Sequence, residues 1–152
     1  MNIRTFALVY GIVFALVGIA GFVPQLLTPH GMVEHELAVD QVAGNLLGLF
    51  PVNLLHNLVH LAFGAWGLLV YRSRDASIAY ARTIAIVYAA FTIMGIVPGL
   101  DTVFGLVPLH GNDIWLHALL AGGAAYFGFV RHAELDATGA GPGSGVPSSR
   151  AR

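Results

Sequence analysis

Between Arg4 and Glu34 this chain carries no charged side chain, and most of that interval is apolar. A helix needs about 20 mostly apolar residues to cross the hydrocarbon layer of a bilayer. The stretch from about Thr5 to Leu27 supplies them, and so, at or near the limit, do about Val52 to Tyr71, Thr83 to Leu100 and Ile114 to Val130. The last two are short enough to call for slight tilt or local thinning of the bilayer. Only 10% of the 152 residues are charged, against about 25% in soluble domains, and mean hydropathy is +0.75. The expected fold is therefore all-α, a four-helix transmembrane bundle over residues 1–133 with spans at about 5–27, 52–71, 83–100 and 114–130. The first stretch, preceded by Arg4, also has the outline of a signal peptide. Its apolar run exceeds the usual length of about 7–15 residues and no A-x-A site follows, so a retained helix is expected.

The basic residues give the direction. All seven are Arg. Arg4 precedes the first span; Arg72, Arg74 and Arg82 lie between or at the edges of the second and third; Arg131, Arg150 and Arg152 follow the fourth. With four spans all seven fall on one side, opposite Glu34, Glu36, Asp40, Asp101 and Asp113. The positive-inside rule then puts both termini in the cytoplasm and the protein in the cell membrane. An odd number of spans would destroy this separation. Net charge of -1 implies no nucleic-acid partner, and the absence of Cys excludes disulfides and thiolate metal sites.

The connections are uneven. The long outer one, Thr28 to Pro51, ends in "QVAGNLLGLF", which is apolar but short. It reads as either an interfacial helix or a re-entrant piece capping the bundle. Pro51 suits the first turn of the second span. The short basic turn "YRSRDASIAYAR" makes the second and third spans antiparallel neighbours. "ATGAGPGSGVPSSRAR" falls in a Gly/Ser/Pro-rich segment, 134–152, expected to be a disordered cytoplasmic tail. Gly11, Gly18 and Gly21, then Gly64 and Gly67, then Gly122, Gly123 and Gly128 are small residues of the kind that let membrane helices approach, and packing explains them.

"PVNLLHNLVH" is the exception to this apolar pattern. If the second span descends from outside, His56 lies about 6 Å and His60 about 12 Å below its start. Residues four apart share a helix face, and Asn53 and Asn57 flank it. Asp113 and His117 repeat the spacing at the outer end of the fourth span, with His110 just ahead and Asp101 near. His30, His35 and His132 read as exposed loop residues. Ionisable groups inside spans are rare and mark functional sites by default. The plainer reading is that these groups only tie helices together, with Asn53 and Asn57 capping helix ends or anchoring the outer loop.

As a site, His56, His60, His110, Asp113 and His117 can offer three or four N/O ligands to a tetrahedral ion, zinc first. Copper, iron and nickel share the preference for imidazole. Alternatively, His60 or His56 with His117 can ligate a haem iron axially, beside Gly64, Ala118 and Ala121. Proton or quinone handling is a third option, since His titrates near neutral pH. No H-E-x-x-H, phosphate loop or nucleophile set is present. Transport would need a polar path through the inner halves of the second and fourth spans, which hold only apolar and small residues, and enzymatic activity has no direct support. Trp115 and Tyr71 fall near span boundaries, whereas Trp66 is deep enough to be packing.

The strings "GLFPVNLLHNLVHLAFGAWGL" and "VPLHGNDIWLHALLA", with "GIAGFVP" and "YARTIAIVYAAFTIMGIVPG", resemble a bacterial family of small four-span integral membrane proteins catalogued as a domain of unknown function. The resemblance covers about residues 4–130. His56, Asn57, His60, His110, Asp113 and His117 stand at its motif positions NLLHNLVH and PLHGNDxxLH, while the loop from His30 to Asp40 looks peculiar to this chain. It implies a four-helix membrane protein with polar motifs at the start of the second and fourth spans, and no reaction. Two functions follow: a membrane protein holding a transition-metal ion or haem at the His/Asp cluster, or a structural or accessory subunit whose cluster locks helices. A bilayer is the one partner implied; a homo-oligomer or membrane complex is left open.

Overall fold

Asn2 opens the first helix, α1 (Ile3–Ala20), in the computed structural model of the chain; its side-chain oxygen accepts from the Thr5 N–H at 2.8 Å. The structure describes residues 1–29 and 37–131. The expected tail, 134–152, and His30, His35 and His132 lie outside those residues. After α1 come α2 (Leu54–Val70), α3 (Arg74–Ile96) and α4 (Asn112–Ala125), the last running on through a π-helical turn, Tyr126–Val130. Ile3–Ala20, Arg74–Ile96 and Asn112–Val130 are long and apolar enough to cross a membrane. α2 is apolar too but has 17 residues, about 25 Å at 1.5 Å each, the low end of what spans. The chain is thus a mostly helical membrane protein, with four helices and little sheet among the described residues.

Helix bounds depart from the apolar stretches where local hydrogen bonding, not hydropathy, decides. α3 starts nine residues before the expected Thr83, because Ser73 caps it: Ser73 Oγ accepts from the Ala76 N–H at 3.4 Å. Ser77 Oγ donates to Ser73 O at 2.7 Å and lies 3.2 Å from Val70 O, fixing the tight α2–α3 turn. α3 ends just ahead of Pro98, which disfavours helical backbone in the residue preceding it.

The connection between α1 and α2 corrects the reading of residues 41–50. They form no helix. β1 (Leu27–Thr28), β2 (Gly44–Leu46) and β3 (Phe50–Val52) make a small antiparallel sheet in that order. Leu47 and Gly48, at φ 54° and 71°, turn the chain between β2 and β3; glycine meets that conformation without steric cost. Pro51 lies in β3, an edge strand, not in the first turn of α2. An edge is where a strand tolerates a missing N–H.

Two close seams hold the bundle. α1 and α2 meet backbone to backbone: a Cβ on Gly64 would lie 2.6 Å from Ala15 N, and one on Gly67 2.8 Å from Ala7 O. α3 meets α4 and its extension, where Gly128 lies against Arg82. Gly122 faces open space and has no such duty. α2 and α3 do touch as expected, through Ser77 and through Tyr80, whose hydroxyl donates to Phe63 O at 3.2 Å. Phe6, Phe14, Tyr80, Ile84, Tyr88 and Ala124 are fully buried between the seams. Trp66 packs edge-on to Tyr80 at 5.2 Å, as its depth suggests, while Trp115 is 73% exposed.

Candidate metal centre

The polar opening of α2 resolves into two kinds of residue. Asn53 and Asn57 hold backbone. Asn53 is the α2 cap, accepting from the His56 N–H at 2.9 Å, while its amide donates to Val39 O at 2.8 Å and Leu106 O at 2.7 Å. One side chain therefore gathers the α1–α2 and α3–α4 loops onto the helix start. Asn57 donates to Gly21 O at 2.8 Å, locking the end of α1 to α2. A Cβ on Gly21 would overlap the Asn57 amide.

The histidines point elsewhere. His56 and His60, one turn apart, have ring centroids 4.6 Å apart, and His117 of α4 lies 6.0 Å from His56. One ligand atom from each of His56, His60 and His117 lies within 4.8 Å of the other two. Asp113, one turn before His117, sets its Oδ2 3.6 Å from His117 Nε2 and 3.9 Å from His56 Nε2. All four side chains are buried. His110 is half-buried in the loop before α4 and is not part of the three-imidazole group, and Asp101 is likewise half-buried in that connection.

Aromatic walls complete the site. Phe14 of α1 stacks on His60 at 5.6 Å and 20°. Tyr88 of α3 meets His117 edge-on at 4.9 Å, and Phe91 lies 5.8 Å from it. Every helix therefore contributes a wall or a donor. The walls of α3 are what sequence reasoning missed. Their signal was present in Tyr80, Ile84 and Tyr88 at four-residue spacing, the period of one helix face.

Residues 4–130 match the family described as a domain of unknown function, DUF4383. The chain belongs to that family. No curated protein and no solved structure matches it. The stretch matched to DUF4383 contains every donor of the cluster, both asparagines and all three aromatic walls.

The donor set of this DUF4383 chain fits a cation. His56 Nδ1, His60 Nδ1, His117 Nδ1 and Asp113 Oδ2 are buried without a hydrogen-bond partner among the described residues. Each such group costs about 1–3 kcal/mol in lost hydration. A tetrahedral ion bound at 2.0–2.1 Å wants nitrogens about 3.3 Å apart. Nitrogens up to 4.8 Å apart reach that by each moving about 0.9 Å toward their common centre, within reach of side-chain rotation. Asp113 Oδ2 lies 3.6 and 3.9 Å from Nε2 of His117 and His56, while the group of ligand atoms within 4.8 Å of one another comprises the three imidazoles without it.

Proposed function

We propose that this chain is a metal-binding integral membrane protein that holds one transition-metal ion, zinc first, between α2 and α4. His56, His60 and His117 supply nitrogen and Asp113 the fourth ligand. The observation that carries this reading is the convergence of three buried imidazoles with a buried carboxylate in apolar surroundings. In such a place uncompensated polar groups are costly, and a cation would take one nitrogen of each ring. The bound ion would polarise any ligand that displaced Asp113. The protein lies in the cell membrane with both termini in the cytoplasm, a reading supported by the gathering of Arg4, Arg72, Arg74 and Arg131 at one end of the bundle. The metal centre then sits toward the outer face.

Elemental analysis and a visible-range spectrum of the detergent-purified full chain test this. About one transition-metal ion per chain, lost on His56→Ala with His117→Ala, is the expected result. A Soret band would replace the ion with haem. Phe14, Tyr88 and Phe91 crowd the imidazoles, with ring centroids 4.9–5.8 Å from those of His60 and His117, and so favour a bare ion over a macrocycle. A second reading has an observation of its own: Asn53 and Asn57, in the same turns, are both spent on holding backbone. If the histidines do likewise, the double variant lowers thermal stability and no ligand is lost.

A further inference from the structure

At the opposite end of the bundle, the first turn of α1 lies beside the end of α2. Between them is a cleft of about 360 Å³ lined by Asn2, Arg4, Thr5, Leu8, Tyr71 and Arg72. Arg4 and Arg72 are exposed, and among the described residues neither is paired with a carboxylate. Arg72 is held in place by Tyr71: its Nε donates to the Tyr71 hydroxyl at 3.1 Å, and its guanidinium lies 5.6 Å from the Tyr71 ring centroid. Asn2 spends its side-chain oxygen on the Thr5 N–H and hydroxyl, which leaves its NH₂ to donate.

Two guanidiniums and an amide on one small cleft form a donor set for an anion with several oxygens, and the planar arginine fork matches phosphate best. The cleft is also half apolar. Leu8 lines it, and in the adjoining turns Val9 and Leu69 are 40% and 80% exposed. Helices of this length put their ends at headgroup level. A ligand with both phosphate oxygens and acyl chains uses all of these features at once.

We infer that Arg4 and Arg72 form a binding site for the headgroup phosphate of an anionic phospholipid, seated between the start of α1 and the end of α2. The site is independent of the metal centre and shares no residue with it. Basic pockets between membrane helices take lipid headgroups in this way, at about 1 kcal/mol per arginine.

The test uses the full chain in neutral detergent, titrated with phosphatidylglycerol or phosphatidylcholine of the same acyl chains, with bound lipid read by native mass spectrometry. The expected preference for phosphatidylglycerol is about tenfold. Arg4→Gln and Arg72→Gln each weaken the affinity for phosphatidylglycerol about fivefold, and together about 25-fold. Arg131→Gln, at the same end but outside the cleft, changes it less than about twofold. Circular dichroism checks that the variants fold; should the double variant not fold, the two single variants decide. Unchanged affinity in the Arg4 and Arg72 variants overturns the site. So does an equal fall with Arg131→Gln, which would mean a diffuse field of charge. Inorganic phosphate displacing the lipid at equal concentration would mean a free-anion site and overturns the lipid assignment.

Discussion

α2 meets α1 and α4 by opposite means. Against α1 it presents Gly64 and Gly67, and the two backbones touch with no room for a Cβ. Against α4 it presents His56, whose Nε2 lies 3.9 Å from Asp113 Oδ2 and whose ring centroid lies 6.0 Å from that of His117. The first seam is fixed by shape. Lipid offers no hydrophobic drive to join helices, so close van der Waals contact does it. The second is fixed by chemistry, and its strength depends on what the facing donors hold. A seam of the first kind tolerates no added atom. A seam of the second kind tolerates exchange of ligand and responds to it.

The contrast can be broken most severely at Gly64. A Gly64→Leu variant forces a side chain into the Ala15 backbone, at 2.6 Å from its nitrogen for Cβ alone. Overpacking of this kind costs about 3 kcal/mol or more. Loss of the monodisperse folded species on size-exclusion chromatography, with metal added or not, is the expected result. Next in size is the response of the other seam. Zinc at about 100 times its dissociation constant should stabilise the wild type by about 2.7 kcal/mol, seen as a rise in thermal midpoint that His117→Ala abolishes. If His117→Ala left the rise intact, the two seams would not differ as described.

Gly21→Ala sharpens the comparison, since Gly21 sits where the shape seam carries a polar lock. Its added methyl displaces the Asn57 amide and leaves Gly21 O unpaired, at a cost of about 1–3 kcal/mol. Adding Asn57→Ala should recover part of that loss, by making room for the methyl. Smallest is Tyr80→Phe, which removes the 3.2 Å hydrogen bond to Phe63 O. Such interhelical bonds in membranes contribute about 0.6 kcal/mol on average, so the thermal midpoint should fall only slightly and metal retention should not change.

How far these features can be read without coordinates follows from their range. The four apolar stretches and the two i, i+4 pairs, His56 with His60 and Asp113 with His117, are local patterns, and one helix period makes them legible. The seam glycines are legible as small residues, but their partners are not. Nothing local separates Gly64, pressed on Ala15, from Gly122, which meets open space. The β2–β3 hairpin escapes because "QVAGNLLGLF" is too short and too apolar to distinguish strand from buried helix. Its turn rests on Leu47 in a left-handed conformation that leucine rarely takes. The start of α3 escapes because Arg74, Asp75 and Arg82 place charge in that stretch, and hydropathy sees the lipid layer rather than the helix that extends beyond it. Asn53 could be read as a cap, but not its bonds to Val39 and Leu106, which lie far away along the chain. His110 stands in the same motif as Asp113 and His117, and only the course of the loop separates it from the three imidazoles.

X-ray absorption at the metal edge of the zinc-loaded full chain addresses the central convergence most directly. Three imidazole nitrogens and one carboxylate oxygen at about 2.0–2.2 Å, with one nitrogen lost in His60→Ala, is the spectrum expected here. A shell of water oxygens without imidazole scattering, or one unchanged by His60→Ala, would contradict the centre.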